Sequence, residues 1–147
     1  MTILASVGSD EKHAAVLDVA KDLADTYGEE LSVLHVIPED DFGDHLDEMR
    51  DLPEMGNYSI EQQEQSAKRV AERLTRSVLD DVSDVSFIGR VGEPAVDIKS
   101  VAGEIDARFV VIGGRKRSPT GKALFGSETQ SILLNADRPI VTVMGED

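Results

Sequence analysis

The feature of this chain that most narrows its fold is an alternation. Five short apolar runs lie at residues 2–7 (TILASV), 31–37 (LSVLHVI), 85–91 (VSFIGRV), 108–113 (RFVVIG) and 139–144 (PIVTVM), and segments of helical periodicity separate them. Runs this short and continuous fit strands covered on both faces, because a half-exposed strand alternates apolar with polar residues. After the first run, Ala14, Ala15, Leu17, Val19, Ala20, Leu23 and Ala24 recur at helical spacing. Gly28 then sits where a left-handed residue closes a helix. Residues 60–79 carry Ala67, Val70, Ala71, Leu74 and Val78 on one stripe. Pro94 opens a helix with Ala95, Ile98, Val101, Ala102 and Ile105, and residues 127–135 form the last one, with Ile132, Leu133 and Leu134. This order predicts right-handed βαβ units and a doubly wound α/β fold: a parallel sheet with helices on both faces.

The chain has 147 residues, room for one domain over 1–147 with a real core. Residues 39–58 are acidic, with Gly43, Pro53 and Gly56, and read as a loop insertion holding at most one short helical turn. Cysteine is absent, which excludes disulfides and thiolate metal sites. No apolar run approaches the roughly 20 residues of a membrane helix, and the N-terminus has no signal pattern, so a cytoplasmic protein is expected. Net charge is −14, from 29 acids against 15 lysines and arginines. Phosphate-rich partners would be repelled over most of such a surface, so neither nucleic acid nor an anionic membrane is an expected partner. The same excess of acid fits a high-salt cytoplasm, where screening relieves self-repulsion; an ordinary acidic protein is the alternative.

One segment runs against this composition. Residues 113–127 (GGRKRSPTGKALFGS) follow the fourth apolar run and gather Arg115, Lys116, Arg117 and Lys122 between glycines. The order is strand, basic loop, helix start. Glycine lets backbone N–H groups approach an anion, and a helix start adds unpaired donors and partial positive charge. A bound phosphate explains the cluster; solvated basic residues on a strand-to-helix connection are the alternative. The segment is not a Walker A loop, since Ala123 follows Gly121-Lys122, and no G-x-G-x-x-G follows the first run. In an open parallel sheet ligands sit at the carboxyl ends of the strands where strand order reverses. If the first and fourth strands are neighbours there, Gly8–Asp10 and Gly113–Arg117 face one crevice.

Other chemistries find little support. His13, His35 and His45 are scattered without metal-ligand spacing, and His35, inside a buried run, reads as a core or cleft histidine. Asp40, Asp41, Asp44, Asp47 and Asp51 lack the spacing of a calcium loop. No serine sits in a G-x-S-x-G elbow, and no nucleophile–base pair is supported by spacing. No catalytic or metal-binding residue is assigned.

Over essentially its whole length the chain resembles the universal stress protein family, the UspA-like domain. The resemblance rests on Ile3-Leu4, on Leu17, Ala20 and Leu23-Ala24, and on Leu34-His35-Val36. It continues through Gly92-Glu93-Pro94-Ala95, Val110 to Gly113, Gly126-Ser127 and Ala136 to Pro139. It implies a five-stranded parallel sheet in the order 3-2-1-4-5, of the adenine nucleotide alpha hydrolase-like kind. Nucleotide-binding members carry Gly, two residues, Gly, nine residues, Gly-Ser/Thr. Gly113 and Gly126-Ser127 match; Lys116 replaces the middle glycine, and Arg117 supplies the basic residue after it. Members that bind nucleotide often have an Asp just after the first strand, where this chain has Gly8, with Asp10 out of register. The resemblance thus implies ATP or another adenine nucleotide, with Mg2+ as a companion ion. Phosphates would lie over Gly113, Lys116, Arg117, Gly126 and Ser127, and adenosine near Ser6, Gly8 and Val36. It also implies a homodimer through the apolar edge strand 139–144, and at most slow ATP hydrolysis. Gly8 and Lys116 keep open a family member that binds no nucleotide and works through dimerisation and protein partners, which the sequence does not name. A hydrolase or kinase-like enzyme is the weakest reading.

Overall fold

The protein is described from a computed structural model, which covers residues 1–8, 13–38, 60–115 and 127–145, with backbone alone at Arg115 and Ser127. Five strands, β1 (Thr2–Ser6), β2 (Glu30–Pro38), β3 (Val85–Gly92), β4 (Ala107–Arg115) and β5 (Ile140–Gly145), form one sheet in the order β3-β2-β1-β4-β5. Every neighbouring pair is parallel. Four helices are described: α1 (His13–Tyr27), α2 (Ile60–Arg76), α3 (Pro94–Glu104) and α4 (Ser127–Asn135). The doubly wound fold expected from the alternation is the fold found.

Strand alternation divides the core in two. Ile3, Ala5, Val7, Leu31, Val33 and Val111 face α1 and α2, packing with Val16, Leu17, Ala20, Ala24 and Ala71. Leu4, Leu34, Val36, Val110 and Ile112 face α3 and α4, packing with Ala95, Ile98, Val101, Ala102 and Ile132. A sheet buried on both sides has no polar phase, which is why its strands read as unbroken apolar runs.

Element ends differ from the sequence reading in small ways. The second helix stops at Arg76 rather than at residue 79. The Thr75 hydroxyl donates back to the Ala71 carbonyl at 2.7 Å, and the N–H groups of Val78 and Leu79 both turn onto the Thr75 carbonyl. The buried line of α2 is Gln63, Ala67, Ala71 and Thr75, with Val70 and Leu74 at its margins. Small residues hold that line because α2 lies close on β3. A Cβ on Gly89 would overlap the Glu64 carbonyl and the Lys68 amide. Gly28 takes φ of 64° and closes α1 as expected, with the Glu29 N–H donating to the Ala24 carbonyl at 2.9 Å. Pro139 precedes β5 rather than starting it, and its carbonyl accepts from the Val110 N–H at 3.0 Å. The insertion read over 39–58 lies outside the described residues.

Candidate functional site

β1 has β2 on one side and β4 on the other, and β2 and β4 lead to opposite edges of the sheet. The crossover directions therefore reverse between β1 and β4, and a crevice opens at their carboxyl ends. A cleft of about 130 Å³ occupies this place. Its floor is Ser6, Val7 and Gly8 from the end of β1, Val36 from β2, and Ile112 and Gly113 from β4. Its walls are His13 and Val16 of α1, Pro94 of α3, and Glu128, Thr129 and Ile132 of α4.

Of the eight residues singled out in the sequence, Ser6, Gly8, Val36 and Gly113 line this one cleft. Lys116, Arg117 and Gly126 lie outside the described residues, as does Asp10. Ser127 is the first residue of α4, so its backbone stands at a helix start beside the cleft. A Cβ on Gly8 would meet nothing within 4 Å among the described residues. At Gly113 a Cβ would meet Val16 Cγ2 at 3.4 Å. Both glycines line the cleft with no side chain to cover their backbone there.

Sequence reasoning missed a residue that ties α4 to β4 beside the cleft, Thr129. Thr129 Oγ1 donates to the Gly113 carbonyl at 3.3 Å, fixing the first turn of α4 to the end of β4. A threonine in a helix's first turn reads as ordinary surface, so no local signal marked it. Glu128 was missed for the same reason. It places a carboxylate in the first turn of α4, beside donors that would otherwise face an anion. Val16 and Ile132 carry the apolar character of core residues and belong to the core as well as to the cleft wall.

A larger hollow, about 450 Å³, lies at the opposite end of the sheet. Asp25, Glu29, Glu30, Asp81 and Asp84 line it, with Lys21 ion-paired to Asp25 at 3.0 Å. The Ser83 amide and hydroxyl donate to Asp81 and hold its carboxyl below the usual range. Five carboxylates repel phosphate, so this hollow does not suit an anion despite its size. Among the described residues no cluster of three or more His, Cys, Asp or Glu is arranged to hold a metal ion.

Comparison with known proteins agrees with this fold. The model of the universal stress protein family matches residues 1–144. The chain belongs to the universal stress protein family. Among solved structures, a universal stress protein from Archaeoglobus fulgidus is 26% identical, with 97% of each chain covered and a TM-score of 0.64. The structure of the universal stress protein from that organism in complex with dAMP is 20% identical, covering 97% of this chain and 96% of that one, TM-score 0.57. A universal stress protein in complex with cAMP is 16% identical, covering 98% and 96%, TM-score 0.63. These last two likenesses speak to the fold. No curated protein matches the chain. No described helix is long and apolar enough to cross a membrane.

Proposed function

We propose that this universal stress protein binds ATP or a related adenine nucleotide across the carboxyl ends of β1 and β4. The observation that carries the proposal is the cleft at the strand reversal, where Ser6, Gly8, Val36 and Gly113 meet the start of α4. The adenosine would lie against Ser6, Gly8 and Val36, and the phosphates over Gly113 and the loop after it. Gly126 would allow close backbone approach, Ser127 would offer its N–H and hydroxyl at the helix start, and Lys116 and Arg117 would neutralise phosphate charge. Magnesium would come with a polyphosphate and be held chiefly by its oxygens. The relatives bound to dAMP and to cAMP support a ligand of this class. With no catalytic pair assigned, hydrolysis is at most slow, and the role is a cytoplasmic stress-response or signalling one of the family kind.

The working form is a homodimer joined along β5, an edge strand whose outer backbone groups otherwise invite other partners. The acid excess fits a protein of a high-salt cytoplasm. A second reading, a member without nucleotide that acts through protein partners, is favoured by Gly8, which offers no carboxylate to the ribose, and by Glu128 in the cleft. Native mass spectrometry of the purified protein separates the two. Added mass of an adenine nucleotide supports binding, and a bare polypeptide mass after incubation with AMP and ATP supports the second reading.

A further inference from the structure

β1 leaves the sheet at Val7, and its last two bonds both run to β2. The Val7 N–H donates to the Leu34 carbonyl at 2.9 Å. The Val7 carbonyl accepts from Nδ1 of His35 at 2.8 Å. A carbonyl oxygen accepts and cannot donate, so Nδ1 carries the hydrogen; the Nδ1–H neutral tautomer and the imidazolium both meet that condition. Val36, the next residue of β2, lines the cleft and packs toward α3 and α4. Adjacent strand residues point to opposite faces, so the His35 side chain projects from the other face of the sheet, and His35 is not among the residues that line the cleft.

The consequence falls on the next amide. In a trans peptide the C=O and the following N–H point in opposite directions, and the described chain has no cis peptide. With the Val7 carbonyl drawn toward β2, the Gly8 N–H is turned toward the β4 side. There Gly113 bounds the crevice that Gly8 also lines. We propose that His35 is a positioning residue. Its Nδ1–H bond to the Val7 carbonyl locks the Val7–Gly8 peptide so that the Gly8 N–H is presented to the ligand between β1 and β4. The ligand half of this proposal rests on the nucleotide reading above; the locking of the peptide does not.

Three substitutions separate the donor from the ring. In His35→Asn the side-chain amide nitrogen is bonded to Cγ, as Nδ1 is, so the donor keeps its place. In His35→Gln the donor lies one bond further out. His35→Leu keeps bulk and loses the donor. Two readouts are taken on folded variants of matched melting temperature: amide hydrogen exchange at Val7 and Gly8 without ligand, and the AMP dissociation constant. His35→Leu and His35→Gln should speed exchange at these amides and weaken AMP by about tenfold, the upper end for one hydrogen bond. His35→Asn should stay within about threefold of wild type on both. Unchanged exchange in His35→Leu, or His35→Asn as deficient as His35→Leu, overturns the proposal. Wild-type protein that binds no AMP contradicts the nucleotide reading and with it the ligand half, while the exchange pattern alone still decides the locking of the peptide.

Discussion

Gly89 shows how much one hydrogen atom can decide. An added Cβ would meet backbone of Glu64 and Lys68, which cannot swing aside as a flexible side chain would. Gly89→Ala should therefore cost roughly 3 kcal/mol, the upper end for overpacking. That is a fall in melting temperature of about 6–12 °C by circular dichroism. At the opposite end of the sheet, Glu29 Oε1 accepts from Nε and an Nη of Arg108 at 3.2 and 3.0 Å, and its other oxygen lies 3.4 Å from the N-terminal ammonium. The Arg108 hydrogen bonds hold the Glu29 carboxyl below its ordinary 4.5, against the opposing effect of partial desolvation and with help from the ammonium. A depressed carboxylate stabilises the fold above its unfolded value and loses that stabilisation as pH falls through its folded value. Arg108→Met should thus be less stable than wild type at pH 7, and the gap should narrow as the pH is lowered below 4.5. A gap that stays constant from pH 7 to pH 3 assigns the loss to Arg108's packing over the Tyr27 ring at 5.0 Å instead. His35 read as a core or cleft histidine, but neither its bond to Val7 nor that of Thr129 to Gly113 was legible. Their partners lie 28 and 16 residues away, beyond any local pattern.

At the scale of elements, β5 carries the next test. Val110 donates to the Pro139 carbonyl, and the parallel register sets Val110 opposite Ile140 and Ile112 opposite Thr142. In such a ladder the N–H groups of Val141 and Val143 turn inward to β4, and those of Ile140, Thr142 and Met144 turn to the open edge. Val141 and Val143 also pack against the core shared with α1, so charging them would damage the fold as well as the edge. Thr142→Pro is the cleaner variant: it removes an outward donor and no ladder bond. Sedimentation should show dimer in wild type and monomer in Thr142→Pro, with the melting curve still cooperative; an unchanged dimer places the contact elsewhere. The elements themselves were legible because each was covered on both faces or carried an apolar stripe. Their ends were less so, because the last turn of α2 tightens where the Val78 and Leu79 N–H groups share the Thr75 carbonyl, which no periodicity records.

Over the whole molecule, charge decides most. A net charge of −14 on 147 residues repels itself at long range, and the Debye length shrinks from about 30 Å at 0.01 M salt to about 3 Å at 1 M. The melting temperature should rise from low to molar KCl, and equal stability at both ends counts against a high-salt adaptation. The place of the cleft was legible at this scale: strand reversal and two glycine turns located a crevice, and Ser6, Gly8, Val36 and Gly113 line it. The balance of charge within it was less so, because Glu128, read only as part of the last helix, also lines it. Titration calorimetry with AMP, ADP and ATP, with and without magnesium, tests the nucleotide site most directly. Wild-type protein should give heat and a thermal shift at millimolar nucleotide, Gly126→Val should abolish both, and Lys122→Ala should change little. No heat and no shift with any of the three nucleotides would contradict a nucleotide site between β1 and β4.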